Sequence, residues 1–155
     1  MPEMLNSDFY IRHGEILLDC FNDYAGEHMP VKASLHSRIE DLYHAPFAIV
    51  SHGIEVDPIF NFANQYALDL FELSFEAFIQ LPSRKSAEAV ERQERENLLN
   101  EVSRNNIIRD YRGVRISATG KRFMIEQAIV WNLFDQHGNK YGQAAMFKNW
   151  TPLFQ

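Results

Sequence analysis

The sequence predicts an α+β domain in which a five-stranded antiparallel sheet carries helices on one face and is preceded by N-terminal helices. Two short apolar runs, over 47–50 and 58–62, have the length of buried strands. The next stretch, 64–105, has apolar residues at helical spacing, and alternating apolar residues return over 108–150. Strands on both sides of a helical segment, without regular alternation of strand and helix, are typical of α+β folds.

Two helices are expected before the first strand. Residues 8–25 place apolar side chains at roughly helical spacing, although Gly14 inside this stretch weakens the case for one unbroken helix. Residues 34–44 form a second amphipathic pattern that ends before a proline. We therefore divide the chain into an N-terminal helical segment, 1–45, and a main domain, 46–155.

The main domain is expected to begin with two strands and two short helices. The first strand is the apolar run that starts at Phe47, and Asp57-Pro58 closes the polar loop before the second strand. Asn64 can cap the helix that follows, and Ser74 can cap the next one. These capping side chains predict where the two helices start.

A long charged helix is predicted over 86–105, with Ser86 as its N-cap. Pairs of opposite charge at positions i and i+4 support helical structure here. Few apolar side chains can face the sheet, so the middle of this helix should face solvent. The apolar stripe consists of Ala87, Val90, Leu98, Leu99 and Val102.

Three antiparallel strands complete the predicted sheet, over 108–116, 121–134 and 141–150, with turns at 117–120 and 135–139. In the middle strand of the three, both the odd and the even positions are largely apolar. Both faces of the sheet therefore need cover. The N-terminal helices and a partner subunit are the two candidates for covering the second face.

Composition limits the functions that the chain can have. Apolar residues make up 46% of the 155 residues, which is typical of one globular domain. A net charge of -6 argues against nonspecific nucleic-acid binding, which requires a basic face. Cys20 is the only cysteine, so no internal disulfide is expected, in keeping with a cytoplasmic location. We expect no signal peptide, and no apolar run reaches the roughly 18 residues of a membrane span.

Several long blocks together carry a resemblance to a known family. They are Phe47–Asn64, Phe123–Asn132 and Gly142–Trp150, with shorter blocks between them such as Tyr111–Ser117. Over about residues 42–150 the sequence resembles the MEKHLA family, whose fold is similar to that of PAS sensory domains, and it looks like a stand-alone bacterial-type member. The resemblance implies a PAS-like sheet and a sensory or regulatory role, exerted through a small ligand or a protein contact.

Resemblance to PAS domains raises two cofactors, flavin and haem, and the residues disfavour both. A flavin adduct would need a reactive cysteine in the helical segment after the second strand, whereas Cys20 lies before the first strand. Haem-binding PAS sensors commonly take an axial histidine from the long helix, and 86–105 contains none. A metal or a haem could be held only through His52. The identity of any cofactor stays open at this point.

A PAS-like cup between the sheet and the helices would place polar and aromatic residues around a ligand. Each of these residues also has a structural interpretation. His52 could fix its own loop, Asn61 could serve a turn, and Trp131 could be core. Arg115 and Glu126 could instead form a cross-strand ion pair on the outer sheet face. The candidate ligand-binding residues are His52, Asn61, Phe71, Phe78, Arg115, Glu126, Trp131 and Phe147, and no catalytic or metal-binding residue is assigned.

Three functions are compatible with these residues. The leading hypothesis is a sensory domain that binds a small ligand in the cup and signals through protein contacts. The alternative is a ligand-free interaction module, with a homodimer or another protein as its partner. Catalysis is the least expected function, because the sequence has no nucleophile–base motif and no glycine-rich phosphate loop. We expect neither nucleic acid nor a membrane as a partner.

Overall fold

The computed structural model of the protein describes residues 1–33, 36–88 and 92–154. A short 3₁₀ turn, Glu3–Asn6, leads into the first helix, and a second one, Ser83–Ser86, follows the fourth helix. The helices and strands are α1 (Asp8–Ala25), α2 (Arg38–Tyr43), β1 (Ala48–His52), β2 (Phe60–Ala63), α3 (Gln65–Phe71), α4 (Phe75–Phe78), α5 (Arg92–Asn105), β3 (Ile107–Ile116), β4 (Arg122–Phe134), β5 (Lys140–Phe147) and β6 (Asn149–Leu153).

The strands form one antiparallel sheet in the order β2-β1-β5-β4-β3, which confirms the predicted fold class. The predicted last strand, 141–150, is divided at Lys148 into β5 and β6. β5 lies between β1 and β4, whereas β6 pairs only with the first half of β4. The sheet therefore has six strands instead of five because its last strand bends away from β1 and continues along β4.

Helices cover both faces of this sheet. We call the face against α3, α4 and α5 the inner face, and the face against α1 the outer face. On the outer face the indole nitrogen of Trp131 donates to the Leu17 carbonyl at 3.2 Å, and its ring meets Phe21 edge-on at 5.1 Å. On the inner face the Asn132 amide donates to the Val102 carbonyl of α5 at 2.9 Å. The chain's own α1 thus covers the second face, which the sequence left open between this helix and a partner.

A bulge in β4 separates residues that the sequence pattern grouped together. Gln127 has a left-handed backbone with φ of 53°, and the pairing of β3 with β4 is irregular opposite it. A bulge adds one residue to a strand, so side chains beyond it exchange faces. Ile125 therefore lies on the inner face, but Trp131 lies on the outer one. The expectation that Trp131 lines the cup was wrong for this reason.

Helix α1 is unbroken despite Gly14. A Cβ atom at this position would lie 2.6 Å from the backbone nitrogen of Ile39 in α2. Glycine lowers helix propensity, but here it permits the backbones of two helices to approach each other. Gly14 therefore marks the α1–α2 contact and does not interrupt the helix.

The predicted caps of the short helices are confirmed. The Asn64 side chain accepts from the Ala67 backbone at 3.1 Å, and the Ser74 side chain accepts from the Ala77 backbone at 3.2 Å. Ser86, the predicted N-cap of the long helix, lies in a 3₁₀ turn instead. Its hydroxyl donates to the Ser83 carbonyl at 2.7 Å. The expected stripe of the long helix is buried at Leu98 and Val102, while Val90 lies outside the described residues.

Candidate functional site

A cavity of about 80 Å³ lies between the inner face of the sheet and the helices; we call it the inner cavity. Its walls are mainly apolar, and its polar side chains come from β1, β3, β5 and the 3₁₀ turn before α5. Such a combination of apolar walls and a few convergent polar groups is typical of small-molecule sites. The residues that line it are Val50, Ser51, His52, Phe60, Phe71, Ser83, Ser86, Leu98, Tyr111, Arg115, Ile125, Ala128, Val130, Gln143, Ala144, Ala145 and Phe147.

Arg115 lines the inner cavity with a charged side chain and is only 8% exposed. Its guanidinium donates to the Tyr111 hydroxyl at 3.1 Å and to the Val114 carbonyl at 2.8 Å. Gly113 makes room for this pair, since a Cβ there would lie 2.5 Å from the Tyr111 hydroxyl oxygen. No carboxylate forms an ion pair with Arg115 among residues 1–33, 36–88 and 92–154. A buried cation without such a partner favours an anion.

Tyr111 lies between two groups of opposite charge. Burial raises the pKa of its phenol, the Arg115 guanidinium lowers that pKa, and the Glu94 carboxylate at the start of α5 raises it. One carboxylate oxygen of Glu94 is buried and has no hydrogen-bond partner within the described part of the chain. The Tyr111 end of the inner cavity therefore combines a cation with a carboxylate that acts on the same phenol.

Gln143 supplies a second polar group, and it is 6% exposed. Its amide nitrogen donates to the Asn132 side-chain oxygen at 3.0 Å. Its own side-chain oxygen is buried and, within the residues that the structure describes, has no hydrogen-bond partner. Leaving a buried acceptor unpaired costs about 1–3 kcal/mol. Gln143 therefore places a buried acceptor without a described partner in the wall of the inner cavity.

Half of the predicted ligand-binding residues line the inner cavity: His52, Phe71, Arg115 and Phe147. The His52 imidazole also bonds the neighbouring Gly53 carbonyl at 2.9 Å, as its structural interpretation required. Asp57, which closes the loop after β1, pairs with Arg84 at 3.1 Å. These four residues keep their ligand-binding role as a prediction.

The remaining four predicted residues lie elsewhere. Phe78 is fully buried and stacks on Phe60 with ring centres 4.3 Å apart, so it lies behind the cavity wall. Trp131 belongs to the outer face, as described above. Asn61 accepts from the Ser51 hydroxyl at 2.5 Å, on the side of the sheet that meets α1.

Arg115 and Glu126 are not brought together. Arg115 pairs in register with Phe123, on the inner face, whereas Glu126 follows the inner-facing Ile125 and so lies on the other face. Both earlier interpretations, a shared pocket and an outer ion pair, were wrong because they assumed that the two side chains share a face. Glu126 instead pairs in register with Asn149 of β6.

A buried polar chain joins α1 to the outer face of the sheet. His13 is fully buried, and its two ring nitrogens contact the Tyr141 hydroxyl at 2.7 Å and the Ser51 hydroxyl at 2.9 Å. Because Ser51 donates its proton to Asn61, it must accept from His13, and Tyr141 then donates to the other ring nitrogen. Burial lowers the pKa of His13 to about 3, so the ring is neutral near pH 7.

The Ser51–His13 contact has the spacing of a nucleophile and its base but not the surroundings. Ser51 is 1% exposed and already donates to Asn61, and His13 is 0% exposed. A substrate carbonyl cannot reach the Ser51 hydroxyl in this arrangement. This series of hydrogen bonds through His13 therefore acts as a structural link that positions α1 on the sheet.

The structure also bears on the two cofactors. Cys20 lies on α1, where its sulfur contacts the Phe134 carbonyl at 3.5 Å on the outer face, and burial raises the pKa of its thiol. This residue therefore does not reach the inner cavity, where an adduct with a flavin would have to form. A space of about 80 Å³ is also far below the roughly 300–1,000 Å³ of pockets for drug-sized ligands. The position of Cys20 does not fit a flavin–cysteine adduct in the inner cavity, and the volume of this cavity does not fit a flavin or a haem.

Sequence reasoning missed Tyr111, Gln143 and His13. Gln143 interrupts the apolar residues of its strand and so carried the same signal that drew attention to Glu126. His13 lies in the apolar stripe of α1 that contains Tyr10 and Leu17, a position where a polar residue needs a partner. Polar residues inside apolar patterns were thus the signal that could have found them.

Comparisons with known proteins agree with this architecture. The sequence profile of the MEKHLA domain matches residues 11–152. The homeobox-leucine zipper protein HOX29 of Oryza sativa subsp. japonica is 30% identical over 139 residues, which cover 86% of this chain and 15% of that protein. The homeobox-leucine zipper protein ATHB-15 of Arabidopsis thaliana is 24% identical over 115 residues, or 74% of this chain and 14% of its own length. The chain thus spans about 15% of the length of the curated relatives it matches.

Solved structures share the fold at low sequence identity. A PAS domain from Colwellia psychrerythraea superposes with a TM-score of 0.64 at 13% identity and covers 72% of this chain and 92% of its own. A light-oxygen-voltage domain studied with a flavin analogue gives a TM-score of 0.60 at 15% identity and covers 78% of this chain and 87% of its own. These similarities establish a PAS-like fold. None of the described helices is long and apolar enough to cross a membrane.

Proposed function

The chain belongs to the MEKHLA domain family and has a PAS-like fold, and from this premise we propose that it is a sensory or regulatory domain whose inner cavity binds a small ligand. The proposal has three parts: a ligand site on the inner face, a connection through the sheet, and an output on the side of α1. A cytoplasmic location remains the prediction made from the single cysteine.

The observation that carries the proposal is the buried guanidinium of Arg115 at the wall of the inner cavity. A charge that has left water needs compensation, and an ion pair to a carboxylate is absent for Arg115 in the described residues. An anionic or strongly polar ligand would supply this compensation. The surrounding apolar wall would remove such a ligand from water and strengthen the contact.

A connection to α1 follows from the alternation of side chains along the strands. In β1, His52 lines the inner cavity, while its neighbour Ser51 bonds His13 of α1. In β4, Val130 lines the cavity, while its neighbour Trp131 bonds Leu17 of α1. A ligand that shifts either strand changes a hydrogen bond to α1, and this differential contact would move the helix.

Native mass spectrometry of the freshly purified full chain tests the ligand. At high declustering energy, wild-type protein should shed a discrete small mass that it retains at low energy. Arg115→Met should lose that mass, whereas Arg112→Met, at an exposed position of the same strand, should keep it. Wild-type protein without any bound mass, or equal occupancy in Arg115→Met, would contradict the proposal.

Exposed apolar side chains support a second candidate, a homodimer formed at the start of α1. Met4 is 45% exposed, Phe9 53% and Ile11 38%, and these residues lie close together in the sequence. Clustered exposed apolar residues mark protein contacts more often than isolated ones do. Sedimentation equilibrium should then give twice the monomer mass for the wild type and the monomer mass for Phe9→Ser. Monomeric wild-type protein would rule out this second candidate.

A further inference from the structure

A groove lies between α3 and β6, apart from the inner cavity; we call it the α3–β6 groove. Its volume is about 490 Å³, against about 80 Å³ for the inner cavity, and it is open to solvent along one side. Phe71 of the inner cavity meets Phe123 of the groove edge-on at 5.3 Å, so this pair of rings lies between the two spaces. The apolar walls of the groove are Tyr66, Leu70, Phe123, Trp150 and Pro152.

The sequence spacing within α3 and β6 explains why these side chains share one groove. Residues three and four apart lie on one face of a helix, as Tyr66, Asp69 and Leu70 do in α3. Residues two apart lie on one face of a strand, as Trp150 and Pro152 do in β6. The regular geometry of a helix and a strand therefore builds the groove, without any unusual backbone.

An exposed tryptophan is held in a fixed position in this groove. Trp150 is 37% exposed, its indole nitrogen donates to the Tyr66 hydroxyl at 3.0 Å, and its ring meets Phe123 edge-on at 6.0 Å. Because an indole N–H can only donate, the Tyr66 oxygen must accept, and the Tyr66 proton has no acceptor within the described residues. Trp and Tyr are enriched among the residues that contribute most to binding energy at protein contacts. The groove therefore offers a partner two aromatic rings and one hydroxyl donor.

Charge at the rim of the groove is only partly compensated. Glu72 pairs with Lys121 at 3.5 Å, and Arg122 pairs with Glu88 at 3.4 Å, so these four charges already have partners. Asp69, also at the groove, forms no ion pair within residues 1–33, 36–88 and 92–154. Electrostatic complementarity therefore favours a partner that brings a positive charge to Asp69.

A peptide segment in the polyproline II conformation matches an open groove of this kind. Proline-rich segments dock in grooves lined by aromatic side chains, and they lose little conformational entropy because the conformation is already formed. Their backbone carbonyls make no internal hydrogen bonds, so one of them can accept from the Tyr66 hydroxyl. A peptide that instead adds a strand to β6 is disfavoured, because Pro152 has no N–H to donate to a neighbouring strand.

The distance along α3 sets the spacing of the motif. Asp69 lies three residues after Tyr66 on the same helix face, so their Cβ atoms are about 5–6 Å apart. A polyproline II segment rises about 3.1 Å per residue, so two residues cover this distance. The Asp69 carboxylate accepts from the Gln65 amide at 2.7 Å, a neutral bond that leaves its charge uncompensated. A basic residue about two positions from a proline on Tyr66 therefore reaches Asp69.

We propose that the α3–β6 groove binds a proline-rich segment of another protein that carries a lysine or arginine about two residues from a proline. Trp150 and Tyr66 contact the proline, and Asp69 pairs with the basic residue. This protein contact goes beyond the proposed function, because it needs no ligand in the inner cavity.

Three labelled dodecapeptides, with repeats of Pro-Pro-Lys, Pro-Pro-Glu or Ala-Ala-Lys, test the proposal by fluorescence anisotropy with the full chain. The Pro-Pro-Lys peptide should bind at least about fivefold more tightly than Pro-Pro-Glu, which reverses the charge. It should also bind at least about tenfold more tightly than Ala-Ala-Lys, which keeps the charge and lacks proline. Equal affinity for Pro-Pro-Lys and Ala-Ala-Lys would reduce the contact to general attraction by an acidic protein and overturn the proposal. Absence of Pro-Pro-Lys binding at about 1 mM would overturn it as well.

The two tryptophans of the chain locate the peptide. In a proton–nitrogen correlation spectrum, the indole signal of Trp150 should shift when the Pro-Pro-Lys peptide is added. The signal of Trp131 should stay, because this residue is fully buried and bonded to Leu17 on the outer face. Trp150→Phe assigns the two signals. A peptide that binds without shifting the Trp150 signal would lie elsewhere and contradict the proposal.

Variants connect each preference to its residue. Trp150→Ala should weaken Pro-Pro-Lys binding at least about tenfold, whereas Phe154→Ala, 90% exposed and outside the groove, should not. Asp69→Asn should reduce the preference for Pro-Pro-Lys over Pro-Pro-Glu at least about threefold, and Glu101→Gln, an exposed acid of α5, is the control for net charge. Unchanged affinity in Trp150→Ala would overturn the proposal. If that variant does not fold, Asp69→Asn, at an exposed position, and the wild-type peptide series still decide.

A second copy of the chain is the other occupant that the experiments can reveal. A wild-type dimer that Trp150→Ala dissociates, together with no peptide binding, would assign the groove to that copy and overturn the proposal. The native mass spectrum reports on the inner cavity and the peptide series reports on the groove, so each of the two proposals can fail separately.

Discussion

His13 makes the stability of this protein depend on pH in a way that can be calculated. The pKa of a histidine in an unfolded chain is about 6.5, and burial lowers that of folded His13 to about 3. Between these values the unfolded chain binds a proton that the folded protein excludes. The contribution is therefore complete above pH 6.5 and is lost progressively as the pH falls towards 3.

The magnitude follows from the two pKa values. Each pH unit inside the window costs about 1.4 kcal/mol, so the full loss is on the order of 4–5 kcal/mol. Between pH 7.5 and 5.5, where the carboxylates remain mostly ionised, the free energy of unfolding should fall by about 1.4 kcal/mol through His13 alone. A change of this size is a large fraction of the stability of a typical domain.

Urea unfolding at pH 7.5, 6.5 and 5.5 measures this effect. His13→Gln removes the titration but keeps an acceptor for Tyr141 and a donor for Ser51, so it should be less dependent on pH over this range. His28→Gln, at an exposed position, is the matched control and should keep the wild-type slope. Equal slopes for wild type and His13→Gln would refute the reasoning.

Three further substitutions test features of the fold. Gly14→Ala should destabilise the protein by about 1–3 kcal/mol in urea, because its Cβ would lie 2.6 Å from the Ile39 backbone; a gain in stability would show that helix propensity dominates. Trp131→Ala should cost about 3–5 kcal/mol yet keep any bound mass in the native spectrum, since Trp131 lies on the face opposite the inner cavity; selective loss of the ligand would contradict this placement. Gly113→Ala should displace Tyr111 and weaken ligand binding at least about fivefold by titration, and unchanged affinity would exclude this contact from the site.

Local chemistry explains why much of the fold could be predicted. Asn64 and Ser74 mark helix starts because their side chains replace missing backbone partners, and this signal needs no tertiary information. The alternation of apolar residues is also a local signal, and it predicted the positions of the strands. The division of the last strand at Lys148 had no such signal, because it depends on how the strand follows β4 after it leaves β1.

The candidate site could be predicted only in part, for one main reason. The alternation of apolar residues assigns side chains to the correct face of the sheet only along an uninterrupted strand. Gln127 forms a bulge in β4 although it is not a glycine, so the sequence gives no sign of this bulge. Arg115 and His52 do line the inner cavity, although the pairing of their strands is also irregular, between Tyr111 and Gly113 and between Ser51 and His52. Trp131 lies beyond the bulge and was assigned to the wrong face.

The position of α1 has a consequence for where this domain starts in longer proteins. A fragment that begins at residue 46 would contain every strand but would lose α1, the helix that covers Trp131, a residue that is fully buried in the structure. Such a fragment would expose a wide apolar surface and should aggregate. Boundaries for expressing related domains should therefore be placed before the helix that corresponds to α1, about forty residues ahead of the first strand.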